Sequence, residues 1–138
     1  MAMEQHWQGG RYKPGKSVRW YDMVQNAQVM IVEDEPIISM VLEDMLDELC
    51  YQVAGSASSV SSALTLLERR SVDFAILDVS LRQENSFPVA EALIARGVPY
   101  FFSTGYGTLP EEAPQANGLL RKPYQLEELD TKLRALVA

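Results

Sequence analysis

The chain has a single cysteine, Cys50, in 138 residues. That excludes an intramolecular disulfide and any metal site built from several cysteines, and it fits a reducing compartment. No apolar run approaches the ~20 residues that cross a bilayer. The N-terminus is polar and aromatic rather than basic and then apolar, so it carries no signal-peptide pattern. A cytoplasmic protein without a membrane segment is expected. Basic charge is scarce as well: 12 Lys and Arg stand against 19 Asp and Glu, for a net charge of -7. Such a surface does not suit general nucleic-acid binding; it suits cations or a partner that is basic at the contact. No internal repeat or low-complexity stretch is visible.

What is present is an ordinary globular composition, 47% hydrophobic and 22% charged, in a length that fits one domain. The acidic excess is not spread evenly. Residues 1–27 hold Arg11, Lys13, Lys16 and Arg19 against only Glu4 and Asp22, together with both tryptophans, Trp7 and Trp20. This segment follows neither helical nor strand periodicity. It reads as an extension outside the domain, flexible or loosely docked through Trp20 and Tyr21. The domain itself is expected over residues 28–138.

Within it, continuous apolar runs of strand length alternate with amphipathic stretches. Val29–Val32, Tyr51–Ala54, Phe74–Leu77, Val98–Phe102 and Leu119–Leu120 read as strands. Runs apolar on every residue are those of strands buried on both faces. Pro36 suits the first turn of a helix whose stripe is Ile37, Ile38, Val41, Leu42, Met45, Leu46 and Leu49. Gly55 is expected to close the second strand. Ser58 or Ser59 can cap a helix with Val60, Ala63, Leu64 and Leu67 inward. Ser86 can cap the next, with Pro88 in its first turn, Val89, Leu93 and Ile94 inward, and Gly97 as its stop. Residues 106–116 carry two prolines and a glycine, so the fourth helix is expected to be short or replaced by loop. The last helix has Leu126, Leu129, Leu133 and Val137 as its stripe. Such alternation implies right-handed crossovers and a doubly wound α/β domain, a parallel sheet with helices on both faces.

In a parallel sheet all the carboxyl ends lie along one edge, where open α/β sheets bind ligands. Glu33 and Asp34 follow the first strand, Asp78 the third, Thr104 the fourth and Lys122 the fifth. Each has an ordinary reading alone: helix-start acids, turn residues, a solvated lysine. Together they form a constellation. Two carboxylates ~4 Å apart repel by about 4 kcal/mol at an effective dielectric of 20, so three clustered acids call for a cation. Hard oxygen ligands suit Mg²⁺. A carboxylate such as Asp78, left free beside the metal, is a nucleophile for phosphoryl transfer. Lys122 would add a second cation, and the Thr104 hydroxyl a hydrogen bond to a phosphoryl oxygen.

The set Val32-Glu33-Asp34-Glu35, Leu77-Asp78, Ser103-Thr104-Gly105 and Lys122-Pro123 resembles the response-regulator receiver domain, over residues 28–138. The resemblance implies a flavodoxin-like (βα)5 fold with strand order 2-1-3-4-5. It implies that Asp78 accepts a phosphoryl group from a phosphohistidine of a sensor histidine kinase, and that Glu33, Asp34, Asp78 and the backbone carbonyl of Ser80 hold Mg²⁺. It implies that Thr104 and Lys122 contact the phosphoryl group, that the Lys122–Pro123 bond is cis, and that the protein is a switch rather than an enzyme.

Four features depart from the common receiver pattern. The first acid is Glu33. Arg82 and Ser86 stand where a Pro and a Gly are usual. Leu119 replaces the aromatic that usually turns inward with the Thr. The stretch between Thr104 and Lys122 is short. With Pro99–Tyr106 and Ser86–Ala90, these departures are similar to the FATGUY subfamily, whose often stand-alone members are associated with sensor kinases of the HWE type. Tyr106, in the loop after Thr104, is the expected replacement for the missing aromatic lever. Since no DNA-binding or catalytic segment follows Ala138, output is expected through contact with a downstream protein, onward phosphoryl transfer or a role as a phosphate sink. The competing expectations are a small Mg²⁺-dependent phosphatase with an Asp nucleophile, which Ser80 in place of a second Asp disfavours, and a receiver-like module that binds without phosphorylation.

Overall fold

The structure, a computed structural model, describes residues 7–8, 11–12, 26–105 and 108–137. Trp7–Gln8 and Arg11–Tyr12 form a short antiparallel pair. Trp20, Tyr21 and Tyr106 lie outside the described residues.

Five parallel strands form the central sheet: β1 (Gln28–Val32), β2 (Gln52–Ala57), β3 (Phe74–Asp78), β4 (Tyr100–Thr104) and β5 (Leu119–Arg121). Their spatial order is β2-β1-β3-β4-β5, as the resemblance implied. The helices are α1 (Pro36–Glu48), α2 (Val60–Arg69), α3 (Phe87–Ala95) and α4 (Leu126–Val137).

Side chains alternate across a strand, and β1 shows what that does here. Val29 and Ile31 point to one face, where Leu42 and Leu46 of α1 meet Leu129 and Leu133 of α4. Met30 and Val32 point to the other, against Ala63 and Leu67 of α2 and Val89, Ala90 and Leu93 of α3. Both faces are therefore filled, which is why β1 and β3 are apolar on all but one residue each. A leucine buried as fully as Leu42 or Leu46 stabilises the fold by about 1.5–3 kcal/mol.

Several boundaries differ from those expected. Gly55 does not close β2 but lies inside it. The pairing of β1 with β2 shifts between Val29 and Met30, so that Met30 faces Gly55 while Val29 faces Val53. A Cβ at Gly55 would come within 2.9 Å of both Leu66 methyls. Glycine here lets α2 lie close to a bulged strand, a usual place for it. β4 runs from Tyr100 to Thr104 rather than from Val98, since Pro99 has no N–H to give the ladder.

The helix stripes are narrower than expected. On α1, Ile37 is 76% exposed and Val41 43%, with Met40 at 61%; on α3, Ile94 is 51% exposed. Only the turn facing the sheet is covered. At the start of α2, Ser59 rather than Ser58 is the cap, in a capping box with Ser62. Ser86 makes no cap bond with its side chain; its Oγ donates to the Val79 carbonyl, and Asn85 Oδ1 accepts from the Phe87 N–H instead. Gly97, at φ +71°, ends α3 as expected. Between β4 and β5 the described residues include no helix, only a turn closed by Ala113 N–H on the Pro110 carbonyl. Its far part is tied to β4: Tyr100 donates through its hydroxyl to the Gln115 carbonyl at 2.6 Å and exchanges two bonds with Asn117. Among the described residues no helix is long and apolar enough to cross a membrane.

Candidate functional site

The carboxyl ends of β1, β3, β4 and β5 do meet. Glu33 and Asp34 follow β1 directly, Asp78 is the last residue of β3, Thr104 the last of β4, and Lys122 follows β5. Each is fixed by the ladder beneath it. Asp78 is in register with Ser103, the Val79 N–H donates to the Ser103 carbonyl, and the Lys122 N–H donates to the Thr104 carbonyl at 3.0 Å. The Lys122–Pro123 bond is cis.

Lys122 Nζ lies 2.8 Å from Glu33 Oε1 and 2.8 Å from Asp78 Oδ2. All three side chains are largely buried, Glu33 the most, at 1% exposed. Burial raises the Glu33 pKa, and the Asp78 charge adds to this; the Lys122 contact and the Glu35 N–H on Glu33 Oε2 pull the other way without cancelling it. Burial alone would lower the Lys122 ammonium. The hydrogen bonds and charges of Asp78 and Glu33 outweigh that and hold it above the ordinary lysine range, so it stays protonated.

Glu33, Asp34 and Asp78 each offer a carboxylate oxygen, all within 4.8 Å of one another. These are hard donors at the spacing of a shared cation, and the donor set fits Mg²⁺. Asp34 and Asp78 open into a cleft of about 500 Å³, lined also by Ser80, Arg82, Thr104 and Lys122 and, from the loop after β4, by Thr108 and Pro110, with Glu33 buried behind them. Tyr106 is not among the described residues. Leu119 is half-buried, paired with Phe102 at the start of β5. A second cleft, of about 410 Å³, lies beyond the ends of α2 and α3; there Arg70 and Arg96 donate to backbone carbonyls, and no acid cluster is present among the described residues.

Two features of the site had no clear signal in the sequence. The Arg82 N–H donates to Asp34 Oδ2 at 2.8 Å, with its guanidinium 3.7 Å from the same oxygen. The Tyr124 hydroxyl, buried, donates to Ser103 Oγ at 2.9 Å. Burial pushes the Tyr124 phenol up to about 12, so it remains a donor at neutral pH. Both contacts join residues far apart in the chain, which local pattern does not reveal.

A doubly wound parallel sheet with clustered acids, a lysine and a threonine at its carboxyl edge defines a class of phosphoacceptor domains. The response regulator receiver domain family matches residues 29–134, and the chain belongs to that family. Its members are switches of two-component systems rather than turnover enzymes, and they bind Mg²⁺ at an acidic pocket; this chain has an acidic cluster of Glu33, Asp34 and Asp78.

The chain is similar to SdrG of Sphingomonas melonis Fr1, whose solution structure is 40% identical in sequence with a TM-score of 0.71, over 82% of this chain and 98% of that one. The receiver domain of Erythrobacter litoralis PhyR is 27% identical with a TM-score of 0.75, over 83% and 92%. The transcriptional regulatory protein PdtaR of Mycobacterium tuberculosis is 30% identical over 107 residues, 74% of this chain and 52% of that protein. The chain spans about half the length of the curated relatives it matches.

Proposed function

We propose that Asp78 is the phosphoacceptor of a response regulator and that its modification switches contacts with a downstream protein. The observation that carries this is the buried Asp78 carboxylate, 2.8 Å from the Lys122 ammonium, clustered with Glu33 and Asp34 and opening on a cleft that Asp34 and Thr104 also line. The donor would be a phosphohistidine of a sensor histidine kinase, of the HWE type if the likeness to FATGUY receivers extends to the partner. An Asp78 oxygen attacks phosphorus; the new O–P bond forms as the P–N bond to the imidazole breaks, and that electron pair leaves on the imidazole nitrogen.

Catalysis of such a step is positioning and charge stabilisation. Lys122, held protonated, stands ready to move its contact from the Asp78 carboxylate to a phosphoryl oxygen. The Thr104 hydroxyl donates a second bond. Glu33, Asp34, Asp78 and the Ser80 backbone carbonyl would hold Mg²⁺, which supplies positive charge against the incoming phosphoryl oxygens. Residues 28–138 form the receiver unit, with residues 1–27 as an extension, and the site of action is the cytoplasm. Leu119 cannot act as an aromatic lever, so Tyr106 and the loop that contains it would carry the signal outward.

Intact-mass or Phos-tag analysis with acetyl phosphate and Mg²⁺ tests the reading. The wild type should gain one phosphoryl group when Mg²⁺ is present and none when Mg²⁺ is omitted from the start, and Asp78→Asn should gain none. An adduct that persists in Asp78→Asn, or sustained turnover of a phosphomonoester without an adduct, would overturn it.

A further inference from the structure

The turn after β3 is fastened on all sides. Ser80–Leu81 pairs with Glu84–Asn85, leaving Arg82 and Gln83 at the tip. Leu81 is fully buried in the core under α3. Glu84 Oε2 accepts from the Val60 N–H at the start of α2, and the Ser86 N–H returns to the Val79 carbonyl. The tip is thus braced on both flanks, and the Arg82 N–H donates to Asp34 Oδ2, 2.8 Å away.

Its guanidinium follows. Nε lies 3.7 Å from the same Oδ2, while the rest of the side chain is 76% exposed at the mouth of the cleft. Two cations thus divide three carboxylates between them: Lys122 serves Glu33 and Asp78, and Arg82 serves Asp34. The two differ in what holds them. Lys122 is largely buried and bonded at 2.8 Å twice, whereas Arg82 reaches its acid from solvent at longer range. A cation that enters the cleft and takes Asp34 displaces the weaker of the two.

We propose that Arg82 is a built-in counter-ion for Asp34 that competes with Mg²⁺ and so sets the metal affinity of the site. This rests on the metal-dependent reading given above. Arg82 is a positioning residue: it acts on the metal through Asp34. A cation next to the ligand lowers affinity in two ways, by occupying the carboxylate and by repelling the divalent ion. A pair 3.7 Å apart whose cation is exposed to solvent couples weakly, so its removal should tighten Mg²⁺ binding by about two- to fivefold.

Mg²⁺ titrations of the full chain without phosphodonor, by amide chemical shift or calorimetry, test it on the wild type, Arg82→Gln and Arg82→Lys. Arg82→Gln keeps the backbone N–H and removes the charge; its Kd should fall about two- to fivefold. Arg82→Lys should stay near the wild type. The gap between wild type and Arg82→Gln should narrow as NaCl is raised, because the Arg82 charge is exposed to solvent. An unchanged or weaker Kd for Arg82→Gln overturns the proposal, as does an Arg82→Lys that behaves like Arg82→Gln, or a gap indifferent to salt. Absence of Mg²⁺ binding by the wild type overturns the metal-dependent reading itself, together with the proposal.

Discussion

Replacing Lys122 with methionine keeps a long stem and removes the charge that two buried carboxylates share. The ammonium lies 2.8 Å from Glu33 Oε1 and from Asp78 Oδ2, whose side chains are 1% and 11% exposed. At an effective dielectric of 20, each contact amounts to about 6 kcal/mol of Coulomb energy. Desolvation of the three groups offsets most of that, and removing one partner of a buried ion pair costs about 3–5 kcal/mol. We expect a loss in that range near pH 8, or a fall in Tm of about 10–20 °C for a domain of this size.

The loss should depend on pH with a definite sign. Glu33 already has its folded pKa above the ordinary 4.5, and Lys122 is one of the influences that keep it down. Without Lys122 it moves further up. A raised carboxyl pKa contributes stability that is present below 4.5 and is lost as pH rises through the folded value. The variant should therefore be closest to wild type in mild acid and furthest from it in mild alkali. Mg²⁺ should stabilise the variant more than the wild type, since it would be the remaining strong cation on Glu33 and Asp78; a ligand at 100 times its Kd stabilises by about 2.7 kcal/mol. Urea melts at both ends of that pH range, with and without Mg²⁺, measure all of this. A loss below about 1 kcal/mol in mild alkali would show that Lys122 is a solvated charge and would refute the reasoning.

Other outcomes follow from the same geometry. Tyr124→Phe removes the donor to Ser103 Oγ and should cost about 1–2 kcal/mol in urea melts. Ser103→Ala leaves the buried phenol without its acceptor and should cost at least as much, and the double variant less than the sum of the two; strict additivity would mean that the bond at 2.9 Å is not made in solution. A Cβ at Gly118 would stand 3.1 Å from two carbons of the buried Phe101 ring, so Gly118→Ala should destabilise by about 1–3 kcal/mol. A neutral result in thermal or urea melts would mean that the ring has room to withdraw.

Much of the fold was legible because burial on both faces leaves a local mark. Val29–Val32 and Phe74–Leu77 are apolar on every residue and could hardly be anything but interior strands. The acids and the lysine of the site were legible for a related reason, as charges within two residues of the ends of such runs. What escaped was tertiary. Gly55 looks like a stop, and only its register against Met30 and the nearness of Leu66 show it to lie inside β2, next to a bulge at Ala54. Ile37, Val41 and Ile94 share the helical period with buried neighbours, yet they lie outside the stripe that the core covers. Arg82 and Tyr124 find partners 48 and 21 residues away.

The segment between β4 and β5 is fastened unequally. Near β5, Gln115 and Asn117 are bonded to Tyr100 at three points, so that part should exchange its amide protons slowly. Nearer the site, Leu109 and Ala113 are only partly buried against the core, a stake of a few kcal/mol at most. A complete two-way switch needs about 5.5 kcal/mol. A rearrangement confined to the loosely held half would have little packing to give up, and one negatively charged group at Asp78 could drive it. The tied half would stay in place as the hinge's fixed leaf.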